Sequence, residues 1–368
     1  MTRESLSSRD WDEIVARLGG ATALDESARN TKAFLRPRCI RCASDLLRLL
    51  LAYCLGEGGL RSTVFWAATA GLADFSNVAL LQRLRRSGDW LALLVAQALA
   101  AAVPPTGRGR VIRIIDATNV PKAGAASARL NRVWRIHACF SLPAERFDFF
   151  DLTDQHGGET IDRIPVVAGE IRLADRAYLQ PDRIAAVMEA GADVVVRAAW
   201  SNARWLDEDG EPLDLIGEFK KARDRGLIDR PIRIARKNGK PIALRLIAAK
   251  LPPQAAEAAR RRARSTAKRR GFTVRAETLE AADWVILVTS LPLQAFPALD
   301  VLSLYRLRWR IELAFKRLKS LIGLNGPPGA DERSARSYVL AHLLIILLLE
   351  PLKSEFEDSP RRAELEAA

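Results

Sequence analysis

The chain has 368 residues, about two ordinary domains' worth, and its 49% hydrophobic and 27% charged residues make a globular composition. Lys and Arg number 57 against 44 for Asp and Glu, and this formal net charge of +13 favours a polyanionic partner such as DNA, RNA or an acidic membrane surface. The longest apolar stretches, 91–103 and 339–349, are too short to span a bilayer and no apolar segment opens the chain, so integral membrane and secreted proteins are excluded; four cysteines are too few for a disulfide scaffold and point to the reducing cytoplasm.

Residues 1–103 read as helical throughout. Trp11, Ile14, Val15 and Leu18 recur at helical spacing, with Ser8 placed as a cap and Gly19-Gly20 as the stop. Cys39-Ile-Arg-Cys42 has the spacing of half a zinc site. No second pair follows and the nearest histidine, His137, is about 95 residues on, so the motif reads as two ordinary thiols. An apolar helix is predicted over 44–55, ending at Gly56, and shorter ones over 62–70 and 77–86 around a turn at Gly71. Ser76 is placed to cap the last, whose end carries Arg83, Arg85 and Arg86. These two fit either a helix-turn-helix or a plain bundle with a solvated basic face.

The cluster Pro104-Pro105-Thr-Gly-Arg-Gly109 punctuates the chain, and the pattern then changes. Short apolar runs predict strands over 111–115, ending in Asp116, then 132–140, 146–152, and 171–174, ending in Asp175. A helix over 182–190 and a strand over 194–197 follow. Three strands, a crossover, then alternating strand and helix is the order of an α/β sheet of the ribonuclease H type. From 200 to about 282 the alternation stops in favour of short strands (231–235, 242–249), turns, and a helix from Pro252-Pro253 to Gly271. The second half of that helix, 260–270, holds seven basic residues in eleven and no acid, the footprint of phosphate contacts, with Arg261, Arg264 and Lys268 as the candidates. A strand over 284–289, a long helix over 299–321 and an apolar helix over 334–349 stopping at Pro351 complete the pattern. The predicted division is a helical DNA-binding segment 1–103, a first core part 110–199, a β-rich insertion 200–290, a second core part 291–351 and a charged tail 352–368.

Three acids stand out. Asp116 and Asp175 each end an apolar run, and neighbouring ends of parallel strands share a crevice; Glu312 lies within the long helix. Three converging carboxylates need cations between them, and hard oxygen ligands suit a pair of Mg²⁺ or Mn²⁺ ions. On one continuous helix, Tyr305, Arg308, Glu312 and Lys319 fall within an arc of about 60° at about 100° per residue. Cations beside a carboxylate suit a phosphodiester substrate.

The run Tyr305-Arg-Leu-Arg308-Trp-Arg-Ile-Glu312-Leu-Ala-Phe-Lys-Arg-Leu-Lys319 resembles the Y-(2)-R-(3)-E-(6)-K signature of DDE transposases of the bacterial insertion-sequence-four family. Ile114-Ile-Asp116-Ala-Thr and Leu173-Ala-Asp175-Arg-Ala-Tyr178 resemble its first and second Asp motifs, and Asp151-Leu-Thr-Asp-Gln-His156-Gly-Gly-Glu159 between them is also similar. The resemblance implies a cut-and-paste transposase that cleaves element ends and joins the 3′-hydroxyls to target DNA. It also implies Asp116, Asp175 and Glu312 as ligands of two Mg²⁺ or Mn²⁺ ions, and Tyr305, Arg308 and Lys319 as contacts to end phosphates. Partners would be the terminal inverted repeats, target DNA and a second copy in a synaptic dimer, in a bacterial cytoplasm at the nucleoid. Trp284 matches a family tryptophan that stacks on a flipped base during hairpin formation; the other reading is a core anchor. The alternatives are another ribonuclease-H-like nuclease and a non-cleaving repressor descended from a transposase.

Overall fold

The computed structural model of the chain describes residues 8–56, 59–100, 109–122, 133–142, 144–321, 326–329 and 331–357. Residues 104–108 of the predicted linker and 358–368 of the predicted tail lie outside these.

Six helices come first: α1 (Ser8–Arg17), α2 (Gly20–Asn30), α3 (Ala43–Leu55), α4 (Gly59–Thr69), α5 (Asn77–Arg86) and α6 (Gly88–Ala100). Gly19 and Gly20 adopt φ of 90° and 88°, a region open to glycine, so the expected stop is a turn into a further helix, α2. Ser76 caps α5 by accepting the Ala79 N–H at 3.2 Å, and Cys42 caps α3 through the Asp45 N–H at 3.5 Å. Leu46, Leu47, Leu49, Leu50 and Leu51 are all buried, so α3 is wrapped on every side by neighbouring helices.

The rest of the chain builds one mixed α/β layer structure. Its strands are β1 (Ile112–Pro121), β2 (Val133–Leu142), β3 (Arg146–Thr153), β4 (Ile171–Ala174), β5 (Asp193–Ala198), β6 (Trp205–Leu206), β7 (Leu227–Ile234), β8 (Ile242–Lys250) and β9 (Trp284–Thr289). They form a nine-stranded sheet in the order β3-β2-β1-β4-β5-β9-β8-β7-β6. β1, β4 and β5 run parallel, and every other pairing is antiparallel. A 3₁₀ turn, Arg176–Tyr178, and α7 (Pro181–Glu189) make the crossover from β4 to β5. Within the 200–290 region lie α8 (Leu215–Lys221), the basic α9 (Pro253–Arg269) and α10 (Ala276–Ala281). α11 (Ala298–Arg306) and α12 (Trp309–Leu321) follow β9, and α13 (Glu332–Glu357) ends the described chain. α13 continues through Pro351, where a stop was expected; in an established helix a proline removes one hydrogen bond and kinks the axis without forbidding continuation.

Alternation along each strand splits the core in two. Ile114, Leu173, Val195 and Leu287 face Ile311, Ala314 and Phe315 of α12 and share one cluster with the helices α1–α6 and α13. Ile115, Ala174, Val194, Val196 and Val288 face the other way, against α7, α8 and α10. On that second face the buried Arg172 pairs with Glu170 at 2.5 Å and donates to the carbonyls of Ile161, Ile164 and Pro165 at 2.5–2.9 Å. Arg113 joins Glu170 at 3.1 Å to Asp148 at 2.9 Å, so four charges stitch the 161–165 segment to the sheet. Among the described residues no helix is long and apolar enough to cross a membrane.

Trp284 opens β9 inside this second core, 4% exposed, its ring stacked on Phe219 of α8 at 5.2 Å and 16°. Trp284→Ala should therefore lower stability by about 3–5 kcal/mol. Chemical denaturation measures this, and a loss below about 1 kcal/mol would contradict the packing.

Candidate active site

Register brings the two aspartates together. β1 and β4 pair in parallel with Ile115 opposite Ala174, so Asp116 and Asp175 are the next neighbours across the ladder. Each lies two residues beyond one that packs toward α12 (Ile114 and Leu173), so both acids start on the α12 face. The sequence placed Asp116 at a strand end. In the structure β1 continues to Pro121, because β2 pairs with it through Val133, and only the parallel ladder ends here. Asp116 Oδ1 accepts the Ala117 N–H at 2.8 Å, and Asp175 Oδ1 caps the 3₁₀ turn through the Ala177 N–H at 2.7 Å.

The long helix predicted over 299–321 is two helices. At the joint the N–H groups of Leu307, Arg308 and Arg310 bond three residues back, to Leu304, Tyr305 and Leu307, at 2.9–3.0 Å. That 3₁₀ step breaks the 100° phase, so the common arc survives only within α12, where Glu312 and Lys319 are two turns apart on one side. Tyr305 belongs to α11, and Arg308 sits in the step itself. From there the Arg308 guanidinium reaches both acids: Nη1 lies 3.3 Å from Asp116 Oδ2, and Nη2 donates to Glu312 Oε1.

The electrostatics follow from this geometry. Burial pushes the Asp116 carboxyl up to about 6; the Ala117 N–H and Arg308 oppose the rise, while the charges of Asp175 and Glu159 add to it. Burial would lower the Arg308 pKa, but Tyr305, Glu312 and Asp116 together raise it. Burial pushes the Tyr305 phenol up to about 12 and holds the Lys319 ammonium below its usual range. A cleft of about 480 Å³ is lined by Asp116, Thr118, Glu312, Phe315, Lys316 and Lys319. Another concavity of similar size, about 500 Å³ beside β7–β9, contains none of the predicted acids.

Among the described residues no three carboxylate, thiol or imidazole side chains converge closely enough to hold an ion. The reason is visible at Glu312, whose side chain is 56% exposed and turned to Arg308. The chemistry nevertheless suits Mg²⁺ or Mn²⁺: the donors are all carboxylate oxygens, and a cationic group already stands between Asp116 and Glu312.

The other expected residues separate. Arg261, Arg264 and Lys268 are exposed along α9, whereas Arg260 turns back to Glu257 and Asp283 at 2.9 and 2.6 Å. Trp284 departs from the base-stacking expectation: its indole lies in the core against Phe219, with no open face for a base. The apolar pattern of β9 was the signal for that burial. Two residues escaped sequence reasoning. Arg197 is exposed in the otherwise buried β5 and acts electrostatically on Tyr305; a lone arginine in a Val-Val-Val-Arg-Ala run was its signal. Trp309, 48% exposed, opens α12 beside Arg308, with the Arg310 guanidinium 5.4 Å from its ring centre.

Comparison with known proteins matches this region. The model of the transposase DDE domain matches residues 107–348, a span containing all three acids. The chain is 40% identical over 365 residues to the putative transposase InsL of insertion sequence element IS186A from Escherichia coli strain K12, covering 97% of each chain. It is also 40% identical over 368 residues to the transposase for insertion sequence element IS421 from Escherichia coli, again covering 97% of each. With the domain match spanning most of the chain and the likeness running nearly end to end, the chain belongs to the DDE transposases.

Proposed function

We propose that this DNA transposase cleaves the ends of its element and transfers the freed 3′-hydroxyls to target DNA, with Asp116, Asp175 and Glu312 as its three acids. The observation that carries the reading is the Arg308 bridge, which ties the Glu312 helix to Asp116, beside Asp175, at one cleft. DDE transposases use divalent metal ions, generally Mg²⁺ or Mn²⁺. When bound, two such ions supply Lewis acidity to both the attacking and the leaving oxygen of an in-line phosphoryl transfer. The three carboxylates would hold them. Arg308, released from Asp116 and Glu312, would turn its two-pronged guanidinium to a phosphate, with Lys319 and Tyr305 as further contacts.

The strand order β3-β2-β1-β4-β5, with its parallel centre and antiparallel outer pair, supports a ribonuclease H-like core in two parts, 110–199 and 291–351. The 200–290 insertion would then carry the DNA-tracking α9, and the helical 1–103 segment would read the inverted repeats. The assignment to the insertion-sequence-four family rests on Tyr305, Arg308, Glu312 and Lys319 together. A dimer would bring two element ends together.

Asp116→Asn, Asp175→Asn and Glu312→Gln should each abolish cleavage of DNA carrying the element's ends in Mg²⁺ or Mn²⁺, while end binding stays within about threefold. Near wild-type cleavage by any one of them would remove that residue from the triad. Replacing Arg261, Arg264 and Lys268 together should flatten the slope of log affinity against log salt by up to about three units. An unchanged slope would return α9 to a solvated face.

The raised Asp116 pKa sets a pH dependence in metal-free protein. Moved from 3.8 to about 6, the carboxyl holds its proton more tightly folded than unfolded. Its stabilising effect is complete below the unfolded value and is lost as pH rises through about 6, by up to about 3 kcal/mol. Asp116→Asn should therefore melt above wild type at about pH 8 and level with it at about pH 4. Equal melting curves at the higher pH would show that the carboxylate is not penalised there.

A further inference from the structure

We propose that Glu159 is a fourth carboxylate of the metal site, meeting Asp116 and Asp175 around the buried hydroxyl of Tyr178 and serving a Mg²⁺- or Mn²⁺-class ion. The inference rests on reading Asp116 and Asp175 as metal ligands.

The loop that carries Glu159 is built to a fixed shape. A Cβ on Gly157 would lie 2.0 Å from Thr153 Oγ1, so the chain closes there only as glycine. Arg135 Nη1 donates to the Gly157 carbonyl at 2.6 Å, and its Nε lies 3.4 Å from Glu159 Oε1. Gln180 Nε2 donates to the Glu159 carbonyl at 2.8 Å, tying the loop to the segment just after Asp175. On its far side the loop continues into the 161–165 stretch held by Arg172.

Tyr178 supplies an independent observation. It is 1% exposed, and its hydroxyl has no hydrogen-bond partner among the described residues. Burial raises its pKa, and the charges of Asp116, Glu159 and Asp175 all raise it further, so the fields of the three acids meet at this phenol. Burial and Asp175 likewise raise Glu159, against the pull of Arg135. Buried carboxylates that penalise one another this way call for positive charge between them. Arg135 supplies some of it at 3.4 Å, a long ion pair that a divalent ion would outcompete. Mg²⁺ keeps much of its water, and a buried phenol is a fitting donor or acceptor for that shell.

The test is Mn²⁺ binding to the full-length protein without DNA, read from the electron paramagnetic resonance of free Mn²⁺, with melting curves in EDTA alongside. Glu159→Gln should weaken Mn²⁺ binding at least about tenfold, and Tyr178→Phe about threefold, both with wild-type melting in EDTA. Asp116→Asn is the control. If it binds Mn²⁺ like wild type, the triad reading itself fails. If Asp116→Asn loses the metal while Glu159→Gln keeps wild-type affinity, the fourth carboxylate is overturned and the triad stands. Should Glu159→Gln misfold, iron(II)-promoted hydroxyl-radical cleavage of the wild-type chain decides. Cuts near Asp116, Asp175 and 158–160 are expected, and cuts at the two aspartates with none at 158–160 would overturn the proposal.

Discussion

One guanidinium holds the site in register. Arg308 spans a buried carboxylate on the central sheet and an exposed one on α12, elements that meet only in the folded chain. Desolvation makes the Asp116 charge costly, and Arg308 returns part of that cost at close range. The planar fork of arginine suits this task, since two N–H directions serve two acceptors at once; a lysine would present a single point charge. The 3₁₀ step at 307–308 is what allows it, by letting Arg308 leave the regular helix between α11 and α12.

Behind the acids, on the face turned away from α12, lies a second set of charges that does not face the cleft. Arg172 and Glu170 have fully buried side chains, and Arg113 is nearly so. Buried pairs of this kind add little net stability, but losing one partner leaves an uncompensated charge and is severe. Their effect is positional. Arg172 spends its remaining donors on three loop carbonyls, so the connection from β3 to β4 keeps one path along the sheet, and Asp175 follows β4 at a fixed height beside Asp116.

Where pattern and packing agree, the sequence was legible. The β4 and β9 spans and the cap of α5 fall where apolar runs and Ser76 put them, because those segments are buried on both faces or closed by a local hydrogen bond. The proximity of Asp116 and Asp175 followed from the same runs. What stayed hidden depends on partners remote in the chain. The polar second half of β1 is a strand only because β2 pairs with it. The joint at 307–308 has no proline or glycine to announce it, so one helix was expected and the Arg308 bridge with it was not. Trp284 shows the limit of motif reading, for the position in β9 is as expected while the ring's surroundings are set by Phe219, far away in sequence.

The sheet's continuity has a consequence for how such a chain can vary. All the strands from β6 to β9 are laid onto the edge that β5 would otherwise expose, and β9, the last of them, is the one that pairs with β5. The polypeptide thus leaves the core at β5 and is handed back at the adjacent position, one strand spacing away. Whatever happens between departure and return, the launch point of α11 and α12 stays the same. Spacing along the chain between the second acid and the third is therefore decoupled from their spacing in space. The excursion can grow, shrink or acquire new surface without disturbing Glu312, provided the final strand keeps its register.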